Sequence, residues 1–76
     1  GKLKKRLDTI RINEIERLKS KLPANGYRQE IELLTESIIN KVIRQHVKSL
    51  KNTIHDPEEY QKRVELLLSI YDLDGE

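Results

Sequence analysis

The stretch of residues 31–50, IELLTESIINKVIRQHVKSL, constrains the fold of this chain more than any other. It contains no proline or glycine, and its apolar residues recur at three- and four-residue steps, which is typical of a helix with a buried face. Ile31 and Ile38 point one way, whereas Ile43 and Leu50 lie about 90° or more around the same helix. A stripe this broad predicts a central helix that is covered on more than one side.

A first helix is predicted over about residues 2–22, where apolar residues again recur at helical spacing. Pro23 ends it, because the residue before a proline is pushed away from helical angles. Residues 23–26, with the sequence PANG, predict a tight turn. The central helix then covers about residues 27–51, and so short a connection predicts antiparallel packing of the two helices.

A third helix is predicted over about residues 57–72. Its start carries the clearest local signal in the chain, because Asp56 suits the N-cap, Pro57 the first helical position and Glu59 the capping-box position. Residues 73–76 are expected to form a frayed end.

The expected fold is all-α, a three-helix domain that pairs into a two-fold six-helix bundle. The chain has 76 residues and no Phe, Trp or Met, so burial in one copy barely offsets the entropy lost on folding. All three helices carry apolar residues beyond their main stripe, and a second copy would cover them. The residues expected in that interface are Leu34, Ile38, Ile39, Val42, Ile43, Val47, Leu50, Leu67, Ile70 and Tyr71.

Composition excludes several classes of site. The chain has no cysteine, which rules out disulfides, thiolate metal sites and a cysteine nucleophile within it. Its net charge of +2 is too balanced to indicate nucleic-acid binding from bulk charge. No apolar run approaches the ~20 residues of a membrane span, so no membrane partner is expected. The start at Gly1 without a methionine predicts a fragment of a longer protein, with Gly1 as a cloning remnant.

Few residues are candidates for catalysis or metal binding. His46 and His55 are nine residues apart, whereas a helical metal pair is separated by four, so a partly buried or cap-adjacent histidine is the simpler interpretation of each. No catalytic, cofactor-binding or metal-ligating residue is therefore expected in this chain. Thr35 and Asn40 are polar residues inside the central helix. They either bond to the helix or solvent, or form a buried polar contact that fixes helix register, and the sequence leaves both interpretations open.

One side of the central helix carries a cationic stripe, which is able to follow a phosphate backbone. The ordinary interpretation is a solvated face with acidic partners from the third helix, such as Glu58 or Glu65. No aromatic residue is interleaved with it, so base stacking is not indicated. The stripe consists of Lys41, Arg44, Lys48 and Lys51.

Residues 34–43, LTESIINKVI, resemble a motif of the C-terminal dimerisation domain of glutamyl-tRNA reductase, which reads approximately L-T-x-S-I-V-N-K-L-L. Residues 6–18 look like the end of that family's long connecting helix, and Leu22-Pro23 falls where the family often has a Leu-Pro turn. The resemblance covers nearly all of the chain. The family usually follows the motif with H-x-P, whereas residues 44–46 read RQH without a proline, so the helix is able to run straight here.

This resemblance implies a cytoplasmic parent enzyme that uses NADPH to reduce the glutamyl group of a charged tRNA to glutamate-1-semialdehyde, at the start of tetrapyrrole (porphyrin) biosynthesis. The cysteine nucleophile and the NADPH site of that family lie in other domains, so the resemblance places no catalytic residue or cofactor in this chain. The implied role is homodimerisation, within a V-shaped dimer. The parent's tRNA is the implied second partner, for which the cationic stripe is the candidate contact.

Two other functions compete with this one. Small intertwined helical dimers of the chorismate mutase type need basic side chains that converge on a dicarboxylate, and Arg11, Arg28 and Lys41 are the candidates. Pro23 argues against such an enzyme, because it breaks the first helix early; turnover of chorismate would decide. A nucleic-acid-binding helical domain is the third interpretation, and it predicts binding that weakens steeply with salt.

Overall fold

The structure, a computed structural model, describes residues 1–22 and 27–73. Its three α-helices are α1 (Lys2–Leu18), α2 (Arg28–Lys51) and α3 (Pro57–Ile70), and a short 3-10 turn, Lys19–Lys21, follows α1. The predicted all-α fold with three helices is confirmed. The predicted turn at 23–26 and residues 74–76 of the expected frayed end lie outside the described residues.

The first helix changes character before the proline. α1 ends at Leu18, and the chain tightens into the 3-10 turn where the sequence predicted α-helix up to about residue 22. Leu22 itself is extended, with φ −87° and ψ 153°, as expected for a residue that precedes a proline. Its N–H donates to the carbonyl of Lys19 at 3.4 Å, which closes the short turn.

The start of α3 has one of the two hydrogen bonds of a capping box. Oδ1 of Asp56 accepts a hydrogen bond from the backbone N–H of Glu59 at 3.1 Å, and Pro57 is the first helical residue. The backbone N–H of Asp56 donates to the carbonyl of Thr53 at 2.9 Å. The carboxylate of Glu59 accepts from Nε of Arg63 at 3.2 Å. Glu59 therefore supports α3 through a pair one turn along the helix.

The end of α3 differs from the predicted frayed end. The helix stops at Ile70, and Asp72 takes the left-handed conformation with φ 56°. The N–H of Leu73 donates to the carbonyl of Leu68 at 2.8 Å, and that of Asp72 to Ser69 at 3.2 Å, which together form a Schellman cap. The prediction was wrong for Leu73, which is only 5% exposed, because this turn directs the chain back against the helices.

Polar contacts show that α1 and α2 are antiparallel. Nη1 of Arg28, at the start of α2, lies 3.9 Å from Oε2 of Glu16, near the end of α1. Nη1 of Arg11, in the middle of α1, donates at 3.4 Å both to the carbonyl of Glu32 and to Oγ1 of Thr35, further along α2. Contacts with residues nearer the end of α1 therefore involve residues nearer the start of α2, so the two helices run in opposite directions.

The second pair, α2 and α3, is also antiparallel. Nη1 of Arg63 donates to the carbonyl of Ser49 at 2.9 Å and to its Oγ at 3.0 Å. Just past α3, the hydroxyl of Tyr71 lies 2.8 Å from Nε2 of His46, and the two rings meet edge to face with centroids 5.5 Å apart. A guanidinium of α1 also reaches this region, since Arg6 donates to the carbonyl of Asp72 at 3.1 Å.

Both neighbours of α2 contact the same side of it. At ~100° per residue, its contact positions for α1 and its contact positions for α3 fall within one arc of about 100°. Within one chain the polar contacts of both neighbours therefore fall on one side of α2, and cover on a second side stays a prediction. α2 contains no buried residue, and the buried apolar residues of the described chain are Leu7, Ile15 and Leu73.

Candidate dimerisation surface

The side of α2 that faces away from α1 and α3 is open and partly apolar. Leu33 is 62% exposed and Val47 is 43% exposed, and both lie more than about 90° from Thr35 around the helix. Leu34 and Ile38 are also exposed, at one edge of the covered side. Large aliphatic side chains left in water over much of one helix mark an interaction surface.

The predicted interface residues fall into two groups. Six are half-buried within the single chain: Ile39, Val42, Ile43, Leu50, Leu67 and Tyr71. Four are exposed: Leu34, Ile38, Val47 and Ile70. The hydroxyl of Tyr71 is already bonded to His46 of the same chain. All ten stay predictions for contact with a second copy.

A groove of about 320 Å³ runs between α1 and α2. Aliphatic side chains supply most of its wall, among them Ile15, Leu18, Ile31 and Ile39, with Ile38 at the exposed rim. The groove continues the apolar edge of α2 toward α1, so a partner that covers Ile38 would cover this groove as well.

A second apolar line on α2 escaped the sequence interpretation. Leucine, asparagine, valine and isoleucine recur at seven-residue intervals, and half-buried Ile43 and Leu50 each follow a member of this series by three residues. Intervals of seven and three are the pattern of a helix that packs along another helix. We call this line the 33–54 seam. The residues at its seven-residue intervals are Leu33, Asn40, Val47 and, in the turn after α2, Ile54.

The cationic stripe is exposed along its whole length. None of its four members makes an ion pair with an acid in the described part of the chain. The partners expected from α3 are engaged elsewhere: Glu58 lies 3.9 Å from Nζ of Lys62, and Glu65 accepts from the amide of Gln61 at 3.3 Å. The pairing expected between the stripe and these two acids is therefore not formed within the described chain.

Charges on α1, by contrast, are largely paired within the helix. A hydrogen bond from Nζ of Lys4, 3.0 Å from Oδ2, lowers the pKa of Asp8, and Arg11 on the other oxygen lowers it further. Arg17 likewise lowers the pKa of Glu14 by hydrogen bonding, and Glu14 raises the pKa of Arg17. These pairs stabilise α1 and leave it little free charge for a ligand.

Functions other than association have little support among residues 1–22 and 27–73. No group of three His, Asp or Glu side chains there is able to hold a metal ion. Arg11 and Arg28, proposed for a dicarboxylate, are paired with Asp8 and Glu32 of the same chain. Within the described ranges, no helix has the length and apolar character needed to cross a membrane.

Comparison with known proteins also indicates a role in dimerisation. A family model for the dimerisation domain of glutamyl-tRNAGlu reductase matches residues 1–73. The chain belongs to this dimerisation-domain family. The resemblance carried by residues 34–43 is thereby confirmed. One relative of this glutamyl-tRNA reductase family, "Glutamyl-tRNA reductase 2" of Koribacter versatilis (strain Ellin345), is 34% identical over 93% of this chain. The chain spans 16% of that relative's length. No solved structure matches.

Proposed function

We propose that this chain pairs with a second copy of itself and acts as the homodimerisation domain of a glutamyl-tRNA reductase. The observation that carries this proposal is the state of α2, which is the longest helix and contains no buried residue. A helix in this position is stabilised mainly by packing. A second copy placed against its open side would provide the packing that α1 and α3 leave incomplete.

The size of the exposed surface supports the same proposal. The chain exposes 6147 Å², whereas a compact monomer of its mass, 9.0 kDa, would expose about 4,850 Å². The excess of about 1,300 Å² falls in the range that each subunit of a stable homodimer buries, about 1,000–2,500 Å². The shape agrees, since the molecule measures 50 × 24 × 16 Å and has a radius of gyration of 15.8 Å, against about 11 Å for a compact domain.

Sedimentation equilibrium over a dilution series, with helicity followed in parallel, tests this proposal. We expect twice the monomer mass, and a loss of helicity as the dimer dissociates, because folding is then linked to association. A helical monomer at every concentration would contradict the proposal. Variant Val47→Asp should shift the equilibrium toward monomer, whereas Ile12→Asp on exposed α1 is the matched control.

The parent enzyme would reduce the glutamyl group of glutamyl-tRNA to glutamate-1-semialdehyde for tetrapyrrole synthesis, with NADPH as reductant, in the cytoplasm. This part of the proposal rests on the family and on the motif of residues 34–43. Under it, the chain does no chemistry itself and holds two catalytic units together. Joining this chain to a catalytic unit and measuring turnover against the unit alone would test that role.

Direct contact with tRNA is a second candidate function, and it rests on the cationic stripe. Four exposed cations of α2 have no acid partner within the described chain, and they follow one another over about 15 Å of helix at ~1.5 Å per residue. Such a line is able to follow consecutive phosphates and to release their counterions.

Binding of unfractionated tRNA at several salt concentrations tests this candidate. Lys48→Gln should lower the slope of log K against log salt by about 0.7–0.9 if its ammonium contacts one phosphate. Lys62→Gln, on α3, is the control and should leave the slope unchanged. Salt-insensitive binding, or equal effects from both variants, would contradict the contact.

A further inference from the structure

We infer that the 33–54 seam of α2 pairs with the same seam of a second copy, antiparallel, about a two-fold axis that crosses α2 at Asn40. This inference rests on the proposed homodimerisation and adds which surface pairs, in which direction and around which residue. In a two-fold interface the same patch lies on both sides, so the patch has to complement itself. The seam meets this requirement in shape, in charge and in hydrogen bonding.

Within α2 the seam is symmetric about Asn40, whereas Ile54 lies beyond the helix and has no apolar counterpart seven residues before Leu33. Leu33 precedes Asn40 by seven residues and Val47 follows it by seven, so an antiparallel copy places the leucine of one chain level with the valine of the other. Asn40 also lies at the middle of α2, which runs Arg28–Lys51. Open hollows of about 280 and 330 Å³ lie along this face, beside Leu33 and Val47 respectively. Each is large enough to receive an aliphatic side chain.

The free charges of α2 are divided between its two halves. Glu30 and Glu36 lie in the first half and make no ion pair within the described chain. Arg44 and Lys51 lie in the second half and are likewise without an acid partner there. Glu36 and Arg44 each lie four residues from Asn40. An antiparallel copy therefore brings a free acid of one chain level with a free base of the other.

A parallel pairing would do the opposite. It would place Arg44 level with Arg44 of the second copy and Glu36 level with Glu36, and like charges opposed across an interface are unfavourable. Both directions bury the same aliphatic residues, so hydrophobic burial alone does not choose between them. The unpaired charges choose the antiparallel direction.

Asn40 fits the position on the axis. Its side chain is half-buried, and its amide makes no hydrogen bond to the described residues. An amide carries both a donor and an acceptor, so two amides related by a two-fold axis are able to bond to each other. A single asparagine in an apolar seam fixes register and direction, since any shift leaves it unpaired. This assigns Asn40 the second of the two roles that the sequence left open.

The inference also divides the cationic stripe. Arg44 and Lys51 lie at the border of the seam, whereas Lys41 and Lys48 lie about 40–80° further around the helix, on the solvent side. The first two cations would therefore act in the dimer contact, and the other two would remain free for a phosphate backbone.

Cysteine crosslinking tests the position of the axis, because the chain has no native cysteine. Helices packed ~8–10 Å apart bring facing Cα atoms within the ~4.4–6.8 Å that a disulfide spans. Under mild oxidation, Asn40→Cys should form a covalent dimer at least about tenfold faster than Leu34→Cys. Leu34 is the matched control, because it is exposed on the same helix but lies about 120° from Asn40.

Charge exchange tests the direction of pairing independently. Arg44→Glu should raise the dimer dissociation constant about tenfold, because each of two equivalent attractive pairs becomes repulsive. Adding Glu36→Arg to the same chain should restore the constant to within about threefold. Lys41→Glu carries the same charge change outside the seam and should alter it less than about threefold.

The outcomes separate this inference from the proposed function. A dimeric wild-type chain that crosslinks faster through Leu34→Cys, or whose double charge exchange gives no rescue, overturns the seam and leaves homodimerisation standing. A monomeric wild-type chain overturns both. Circular dichroism of each variant confirms that helicity is retained, and the charge exchange gives a second readout if Asn40→Cys loses helicity.

Discussion

The two sides of α2 both carry aliphatic residues but are occupied differently. On the covered side, directional polar contacts position the neighbours: Arg11 bonds to Thr35, and Arg63 bonds to Ser49. On the open side, Leu33 and Val47 face solvent. Hydrogen bonds select one geometry, whereas apolar burial is non-directional. The comparison shows that the chain uses its polar contacts to arrange its own helices and leaves much apolar area for association.

The open side consequently needs its own source of specificity. An aliphatic surface alone would accept many partners and registers. The unpaired acids and bases of α2, and the amide of Asn40, are the directional groups present there. Under the proposed pairing, apolar burial would provide affinity on both sides of α2 and polar groups would fix the geometry.

The largest expected effect comes from the small core behind the covered side. Leu7→Ala should lower the free energy of unfolding by about 2–4 kcal/mol, because Leu7 is only 7% exposed and its loss leaves a cavity. Leu33→Ala on the open side removes the same atoms from a residue that is 62% exposed. It should change unfolding little in dilute solution.

Urea unfolding at two protein concentrations checks this contrast. Leu7→Ala should be destabilised at both, whereas Leu33→Ala should be destabilised only where the wild-type chain is dimeric. Equal losses for both variants in dilute solution would mean that the open side already packs within one chain.

The next effect concerns the contact that joins α1 to the covered side. Arg11→Met keeps an apolar stem but removes the guanidinium that bonds to Glu32 and Thr35, and should lower the free energy of unfolding by about 1–2 kcal/mol. Arg17→Met is the matched control, because Arg17 bonds only to Glu14 on the exposed surface of α1 in the described chain. Its removal should leave the urea midpoint unchanged. Equal urea midpoints for the two variants would mean that the bonds of Arg11 to α2 do not stabilise the packing of the two helices.

The sequence predicted those parts of the fold that local chemistry determines. Pro57 with Asp56 marked the start of α3, and Pro23 marked the extended Leu22. Which arc of α2 its neighbours cover was not predictable, because aliphatic residues lie on both arcs and burial alone does not distinguish them. The 33–54 seam left a signal in its seven-residue intervals, which the broader three- and four-residue pattern concealed.

The burial of Leu73 was missed for a different reason. It depends on a left-handed residue, and Asp72 is not the glycine that usually marks such a turn. The contact that follows it, from Arg6 to the carbonyl of Asp72, joins residues far apart in the sequence. Local patterns contain no information about such a pair.

A smaller effect should follow from relieving that left-handed turn. Asp72→Gly should raise the free energy of unfolding by about 0.5–1 kcal/mol, because glycine adopts positive φ without the steric cost that a Cβ brings. The bond from Arg6 is preserved, since it is accepted by the backbone. Asp72→Val is the control and should be destabilising. Thermal unfolding measures both, and no difference between the variants would mean that the turn does not limit stability.

The smallest expected effect is the pH dependence contributed by Asp8. Hydrogen bonding from Lys4 lowers the pKa of Asp8 in the folded chain below the ordinary value of 3.8, which applies to the unfolded chain. The stabilisation is therefore fully present above about pH 4 and is lost as the pH falls through the lowered folded pKa. Asp8→Asn lacks it at every pH. The thermal midpoints of wild type and variant should differ at pH 7 and converge toward pH 2. Because the Lys4–Asp8 pair lies within α1, adding Asp8→Asn to Leu33→Ala should give thermal midpoints that converge toward pH 2 in the same way. A difference in thermal midpoint that stays constant down to pH 2 would mean that Asp8 acts through packing and not through its charge.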